Sequence, residues 1–289
     1  METPLFFQNG SYRLFGVVHE AEPHRPDDGK TLGELGVVFC HPFAEEKLIA
    51  HRVMVNLARK IAGAGIHCLR FDYMGHGDSD GNFEDATVET RLSDIQCAAK
   101  CLKEQVAVSN VGLIGIRFGA TLAALACESA PDIDAIALIS PIIQGKAYIE
   151  QCLRSNLTTQ MTLYKKVVKD RQALVRDLMM GEMVNIDGYL LTKALYEQMV
   201  SIDLLSSPGP VAKKALLVQI SRKENEPMEK GLAAVHSKWA ELNGQTELVS
   251  VRENFFWQDQ KIYQPRAGNL EEAVLGWLNL GSLKTADEA

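Results

Sequence analysis

Several things are scarce in this 289-residue sequence, and each scarcity excludes something. Its six cysteines include no Cys-x-x-Cys pair, which removes the common thiol-redox and zinc spacings. No apolar run approaches the ~20 residues of a membrane-spanning helix. The opening Met-Glu-Thr-Pro-Leu-Phe-Phe-Gln lacks the basic start and apolar core of a secretory signal. Reduced cysteines are therefore expected, including Cys97 and Cys101 on one helix face, and the expected compartment is the cytoplasm. Basic residues are outnumbered by 30 to 37, a net charge of −7, so nucleic acid is not an expected partner. Histidine is scarce in one half of the chain: six of the seven fall at or before His76, and only His236 follows.

The rest is ordinary globular material. At 46% hydrophobic the chain is too apolar for a disordered or collagen-like one. Asn9-Gly10 between Pro4–Gln8 and Ser11–His19 predicts a hairpin. Ala21–Gly33, rich in Pro, Asp and Gly, reads as a loop. Strands and helices then alternate. Strands are expected at Leu35–Cys40, His67–Tyr73, Val111–Ile116 and Ala135–Ser140, and helices at Glu46–Ala64, Thr87–Glu104 and Gly119–Ser129. This order implies a mostly parallel sheet with helices on both faces.

The alternation stops between Gln144 and Leu205, where the composition is helical and no strand is evident. It resumes with Lys214–Ser221, Met228–Asn243, Thr246–Arg252 and Leu270–Leu280. The expected organisation is a core over 1–143, a helical lid over 144–205, a second core portion over 206–281 and a frayed tail over 282–289.

One motif carries chemistry. Gly115-Ile116-Arg117-Phe118-Gly119 lies between a buried strand and a small-residue helix, the setting of a Gly-x-Ser-x-Gly nucleophile elbow. Val37–Phe43 is a strand entering a loop. Arg70 to Gly81 forms a second glycine-rich loop, Phe-Asp-Tyr-Met-Gly-His-Gly-Asp-Ser-Asp-Gly after the arginine. Together these resemble the α/β-hydrolase superfamily over nearly the whole chain. That resemblance implies an α/β-hydrolase fold with an N-terminal β-hairpin and a helical lid insertion.

The resemblance also shows what is unusual. The nucleophile position holds Arg117, and a guanidinium cannot attack a carbonyl. The superfamily places its histidine after the last strand, and there Asn254 is the expected occupant. His236 precedes that strand. The acid usually follows the preceding strand, where Glu224 and Glu226 are candidates. His41-Pro42-Phe43-Ala44-Glu45-Glu46-Lys47, the Phe71–Gly81 loop, the Arg117 elbow, Gly188-Tyr189-Leu190-Leu191 and Phe256-Trp257 resemble a narrower group, the second type of exosortase-system-associated hydrolase. This implies a bacterial protein linked to exopolysaccharide systems, with a partner enzyme of such a locus.

Arg117 next to a helix N-terminus calls for an anion. Glu45, Glu46, Asp72 or Glu253 are internal candidates. The alternative is a ligand, held by Arg117 with the backbone N–H groups of Phe118 and Phe43. His41 is expected to line the pocket. Cys40 reads as a core thiol, and His76 and Asp78 as structural. Glu45, Glu46 and His51 do not match a metalloprotease spacing, so neither metal nor cofactor is expected. In the lid, Lys165, Lys166, Lys169, Arg171 and Arg176 gather basic charge around Asp170. This reads as a solvated face or as a contact for an anionic sugar, acyl carrier or lipid head. Two function classes stay open: a non-catalytic hydrolase-fold protein binding a small anionic or acyl ligand or a partner, and a hydrolase acting on an ester or acyl group without the triad.

Overall fold

Gly10, at φ 57°, and Ser11 turn β1 (Glu2–Asn9) back on β2 (Tyr12–His19) as an antiparallel pair, one residue beyond the Asn9-Gly10 turn that the sequence predicts, because Asn9 pairs with Tyr12 as the last residue of the strand. The structure, a computed structural model, describes residues 1–22, 35–130, 132–243, 245–258 and 265–278. Most of the expected loop at Ala21–Gly33 and the whole tail 282–289 lie outside them. β2 pairs antiparallel with β4 (His67–Phe71), and β4 pairs parallel with β3 (Leu35–Cys40). The parallel sheet continues through β5 (Asn110–Ile116) and β6 (Ile133–Ile139). β7 and β8 belong to the insertion, so the next strands are β9 (Lys214–Ser221) and β10 (Thr246–Arg252). The sheet order is β1-β2-β4-β3-β5-β6-β9-β10.

The two-residue period of the strands divides the core between the two faces. Val38 and Cys40 of β3 join the cluster under α2 (Val88–Val106) and α3 (Phe118–Ser129). Val37 and Phe39 join the cluster under α1 (Glu45–Gly63) and α8 (Gly268–Leu278). Each fully buried aliphatic side chain contributes about 1.5–3 kcal/mol, so this double face stabilises the sheet from both sides. Thr87 starts α2 with a reciprocal cap: its Oγ1 accepts from Thr90 N–H at 3.1 Å, and Thr90 Oγ1 accepts from Thr87 N–H at 2.8 Å.

Residues 144–205 carry α4 (Gly145–Tyr164), α5 (Arg171–Met179) and α6 (Lys193–Ser201). They also carry two short antiparallel strands that the sequence reading did not foresee, β7 (Val184–Ile186) and β8 (Tyr189–Leu191). The cause is Asp187-Gly188, at φ 51° and 96°, the pair of left-handed residues that closes a two-residue hairpin. The excursion leaves and returns at one place. Gln144 and Asp203 form an antiparallel bridge, Gly145 N–H donates to Ile202 O at 2.9 Å, and Leu204 N–H to Ile143 O at 2.9 Å. α7 (Lys230–Asn243) then links β9 to β10. Among the described residues no helix is long and apolar enough to cross a membrane.

Candidate functional site

The parallel strands β3, β5, β6, β9 and β10 bring their carboxyl ends to one edge of the sheet, where open α/β sheets hold ligands. β5 passes into α3 through Arg117 alone. The two motif glycines permit this. A Cβ on Gly115 would lie 2.3 Å from Ala120 Cα, and one on Gly119 would lie 2.2 Å from Cys40 O. Arg117 itself is forced to φ 56°, ψ −123°, a region that costs a non-glycine residue about 1–3 kcal/mol. Its N–H donates to Ile139 O at 2.9 Å, which locks the turn to β6. Ala44, after β3, has nearly the same conformation at φ 49°, ψ −128°, and Ser140, after β6, has φ 46°. Three strained residues thus ring one point on the sheet edge.

The Arg117 side chain is 16% exposed and lies between two aromatic faces, 5.1 Å from the Trp257 centroid and 5.7 Å from that of Tyr148. Its Nε donates to Glu46 Oε1 at 3.4 Å, and a terminal nitrogen donates to Ser140 O at 3.4 Å. Both bonds are long, and three of the five guanidinium N–H groups have no partner among the described residues. Glu46 also accepts from Tyr148 O–H at 3.1 Å. Burial raises the Glu46 carboxyl above its usual range, and Arg117 and Tyr148 pull it partly back. Of the four acids that sequence offered to Arg117, geometry selects Glu46.

Phe118 opens α3, so its N–H has no carbonyl within the helix. Neither it nor Phe43 N–H has a hydrogen-bond partner among the described residues. Phe43 packs against Phe118 with centroids 5.7 Å apart, and Phe118 stacks on Tyr148 at 5.9 Å. Two adjoining cavities of about 460 and 470 Å³ meet at Arg117, sharing Pro141, Gln151 and Glu229. α4 forms the roof with Ala147, Tyr148 and Gln151, while Glu226, Gln219 and Trp257 wall the far side. The cleft therefore offers a cation at its floor and carboxylates at its rim, while Phe43 and Phe118 are buried and line neither cavity.

The other expected site residues are dispersed. Asp72 accepts from Lys47 Nζ at 2.6 Å. Glu45 is exposed, with no ion pair among the described residues. Glu253 accepts from Asn269 N–H at 2.9 Å at the start of α8. Glu224 is an exposed partner of Arg252 at 3.8 Å. Asn254 is exposed, and from the same segment it is Trp257 that meets Arg117. His236 bonds Thr246 O at 3.1 Å, at the amino end of β10 and so at the opposite edge of the sheet. His41 is buried beside Phe43. Its Nδ1 lies 2.7 Å from Pro42 O and its Nε2 accepts from Tyr73 N–H at 3.4 Å, so both ring nitrogens are committed. Burial, then His76 and Lys47, hold its pKa well below that of a free imidazole, and burial does the same for His76. All six cysteines are unpaired, and burial pushes the Cys40 thiol up to about 12. No group of three or more His, Cys, Asp or Glu among the described residues is placed to hold a metal.

Tyr148, Ser140, Gln151 and Glu229 went unnoticed in the sequence as site residues. Nothing in the local pattern marks them, because each reaches the cleft only through the packing of the β6 exit, of α4 and of the segment before α7.

Residues 35–207, more than half of the chain, match the family model described as serine aminopeptidase, S33. The chain belongs to this family. Solved structures share the α/β-hydrolase fold of this S33 family member. Est1E from Butyrivibrio proteoclasticus, solved with ferulic acid bound, is 18% identical with a TM-score of 0.64, over 95% of this chain and 98% of that one. A putative hydrolase from Agrobacterium vitis S4 is 15% identical with a TM-score of 0.60, over 96% and 98%. The Pyrococcus furiosus esterase Pf2001 is 17% identical with a TM-score of 0.57, over 86% and 81%. No curated protein matches the sequence.

Proposed function

We propose that this S33 family member has exchanged serine-triad chemistry for recognition, and that Arg117 holds the acidic group of a small polar ligand. One observation carries the proposal: the strained elbow residue is an arginine with three uncommitted N–H groups at the floor of a cleft. A guanidinium neither attacks nor accepts a proton at neutral pH. The imidazoles of the neighbouring loops, His41 and His76, are buried, and burial holds their pKa so far below that of a free imidazole that each takes up a proton poorly, which supports the absence of an effective general base. The guanidinium suits a carboxylate or phosphate oxygen in the cleft, and the unpartnered Phe118 N–H at the start of α3 adds the positive end of a helix behind it. Glu226 and Glu229 at the rim suit hydroxyls or an amine on the same ligand. Residues 144–205 act as the lid, with α4 covering the bound group. The motif resemblance to exosortase-system-associated hydrolases supports a setting in bacterial exopolysaccharide systems, with an anionic sugar or acyl group as ligand.

Calorimetric titration with sulfate and with a sugar acid tests this, beside a turnover screen on esters and thioesters. Wild type should bind an acid and turn nothing over, and Arg117→Gln should lose the binding. Turnover that disappears in Arg117→Ala would instead establish a hydrolase working without the triad. Absence of acid binding, combined with a large loss of stability in Arg117→Ala, would reduce the Arg117–Glu46 pair to a structural one.

A further inference from the structure

The insertion ends in an apex that the cleft does not explain. α4 closes at Tyr164, Lys165 caps it at φ 57°, and a short loop leads to α5. Every residue from 161 to 170 is exposed. Five of the first eight are large and apolar: Met161, Leu163, Tyr164, Val167 and Val168. Leu163, Tyr164 and Val168 are 66%, 60% and 59% exposed. Single exposed apolar residues are normal, but five in one short segment mark an interaction site.

The apex is held in shape from beneath by polar contacts. Gln160 is buried under the loop. Its Oε1 accepts from Val168 N–H at 2.7 Å and Lys169 N–H at 2.8 Å, and its Nε2 donates to Lys169 O at 2.9 Å. Asp170 then caps α5, accepting Ala173 N–H at 2.8 Å. The loop is therefore fixed by its base, while its apolar side chains face outward.

The charge is equally selective. Lys169 pairs with Asp177 at 2.7 Å and Arg171 with Glu150 at 3.0 Å. Lys165 and Lys166 have no carboxylate partner among the described residues, and no acid lies between Met161 and Lys169. On a chain of net charge −7, this makes a local cationic and apolar point. Lysine is depleted at the centres of protein–protein interfaces, whereas segments that lie in a lipid interface combine lysine with exposed apolar side chains.

We propose that residues 161–168 dock on an anionic lipid surface, with the apolar side chains at the headgroup boundary and Lys165 and Lys166 against lipid phosphates. Gln151 at the cleft and Met161 at the apex are ten residues apart on α4, about 15 Å along the helix. Docking would thus hold the cleft within about that distance of the surface.

Flotation of the full chain with vesicles is the test, using phosphatidylcholine alone and phosphatidylcholine with added phosphatidylglycerol. Wild type should float only with the anionic vesicles and less as salt rises. Lys165→Gln/Lys166→Gln should lower partitioning about thirtyfold. Leu163→Asp/Val168→Asp should abolish it, with an unchanged melting temperature because both side chains are exposed. Equal flotation of wild type and the aspartate variant, or no binding to anionic vesicles, would overturn the proposal. So would sedimentation showing wild-type dimers and a monomeric aspartate variant, since a second copy would then be the occupant.

Discussion

Glu46 sits beneath Arg117 with its side chain 21% exposed, and its charge decides how much of the guanidinium is free. Its carboxyl is raised by burial, so the fold favours the protonated form more than the unfolded chain does. The contribution of this group to stability is therefore fullest below its unfolded value and declines as pH rises through the folded one. Acidification through that range neutralises Glu46 and weakens its hold on Nε of Arg117. Sulfate, fully ionised throughout, should bind more tightly at a pH below that range than at one above it. Glu46→Gln should bind it tightly at both values, since the amide oxygen still accepts from Tyr148 O–H but carries no charge. Parallel titrations of the two proteins at both pH values check this; a pH dependence that survives in Glu46→Gln contradicts it. Arg117→Ala leaves Glu46 with Tyr148 alone, and protonation limits the damage. Its cost should be about 1–2 kcal/mol, read from urea unfolding.

The elbow is a contact between elements, and its glycines act there. A methyl on Gly119 would overlap Cys40 O and His41 O, both in the β3 exit. Neither is a side chain that swings aside, so α3 would have to lift from β3. Gly119→Ala should cost about 3 kcal/mol or more, or fail to fold, by chemical denaturation. Gly231→Ala, whose added carbon would meet only the Ile143 side chain at 3.5 Å, should be nearly neutral in the same assay. The strand–helix alternation was legible because apolar runs and their period survive in the sequence. Helix ends were legible to within a few residues, as at Thr87, whose cap residue and partner are adjacent in the chain. The β7–β8 hairpin had a signal too, Asp187-Gly188, but the helical composition on either side obscured it.

Three buried histidines couple the stability of the whole molecule to acid pH. Burial pushes His19 down to about 4, with Arg70 adding to it, and holds His41 and His76 well below the usual value. Each is neutral in the fold and gains a proton more readily when unfolded. Stability from these groups is present above the unfolded value of about 6.5 and falls as pH drops through the folded values. His19 alone should remove about 2 kcal/mol by pH 5. Arg70 Nε–H donates to His19 Nε2 at 2.8 Å, a bond that an imidazolium cannot accept. Urea midpoints at pH 7 and pH 5 should show the loss, and His19→Gln should show a smaller one. A flat profile would mean that these sites admit water.

Sequence by itself determined the fold class, the parallel order of the core, the glycine-framed turn at Arg117 and the scarcity of histidine beyond it. These depend on local period, turn chemistry and composition, all of which are properties of neighbours along the chain. Tertiary structure alone decided that Glu46 pairs with Arg117 while Glu45, Asp72 and Glu253 do not. It also decided that Trp257 rather than Asn254 meets the guanidinium. Adjacent residues of α1 diverge by about 100° around the helix, so Glu45 faces solvent while Glu46 faces Arg117 and Tyr148. The segment after β10 turns at residues 254–256, where Phe256 N–H donates to Asn254 O at 2.8 Å, and this turn carries Trp257 inward. A carboxylate's partner is set by which faces the packing brings together, and no spacing in the sequence records that.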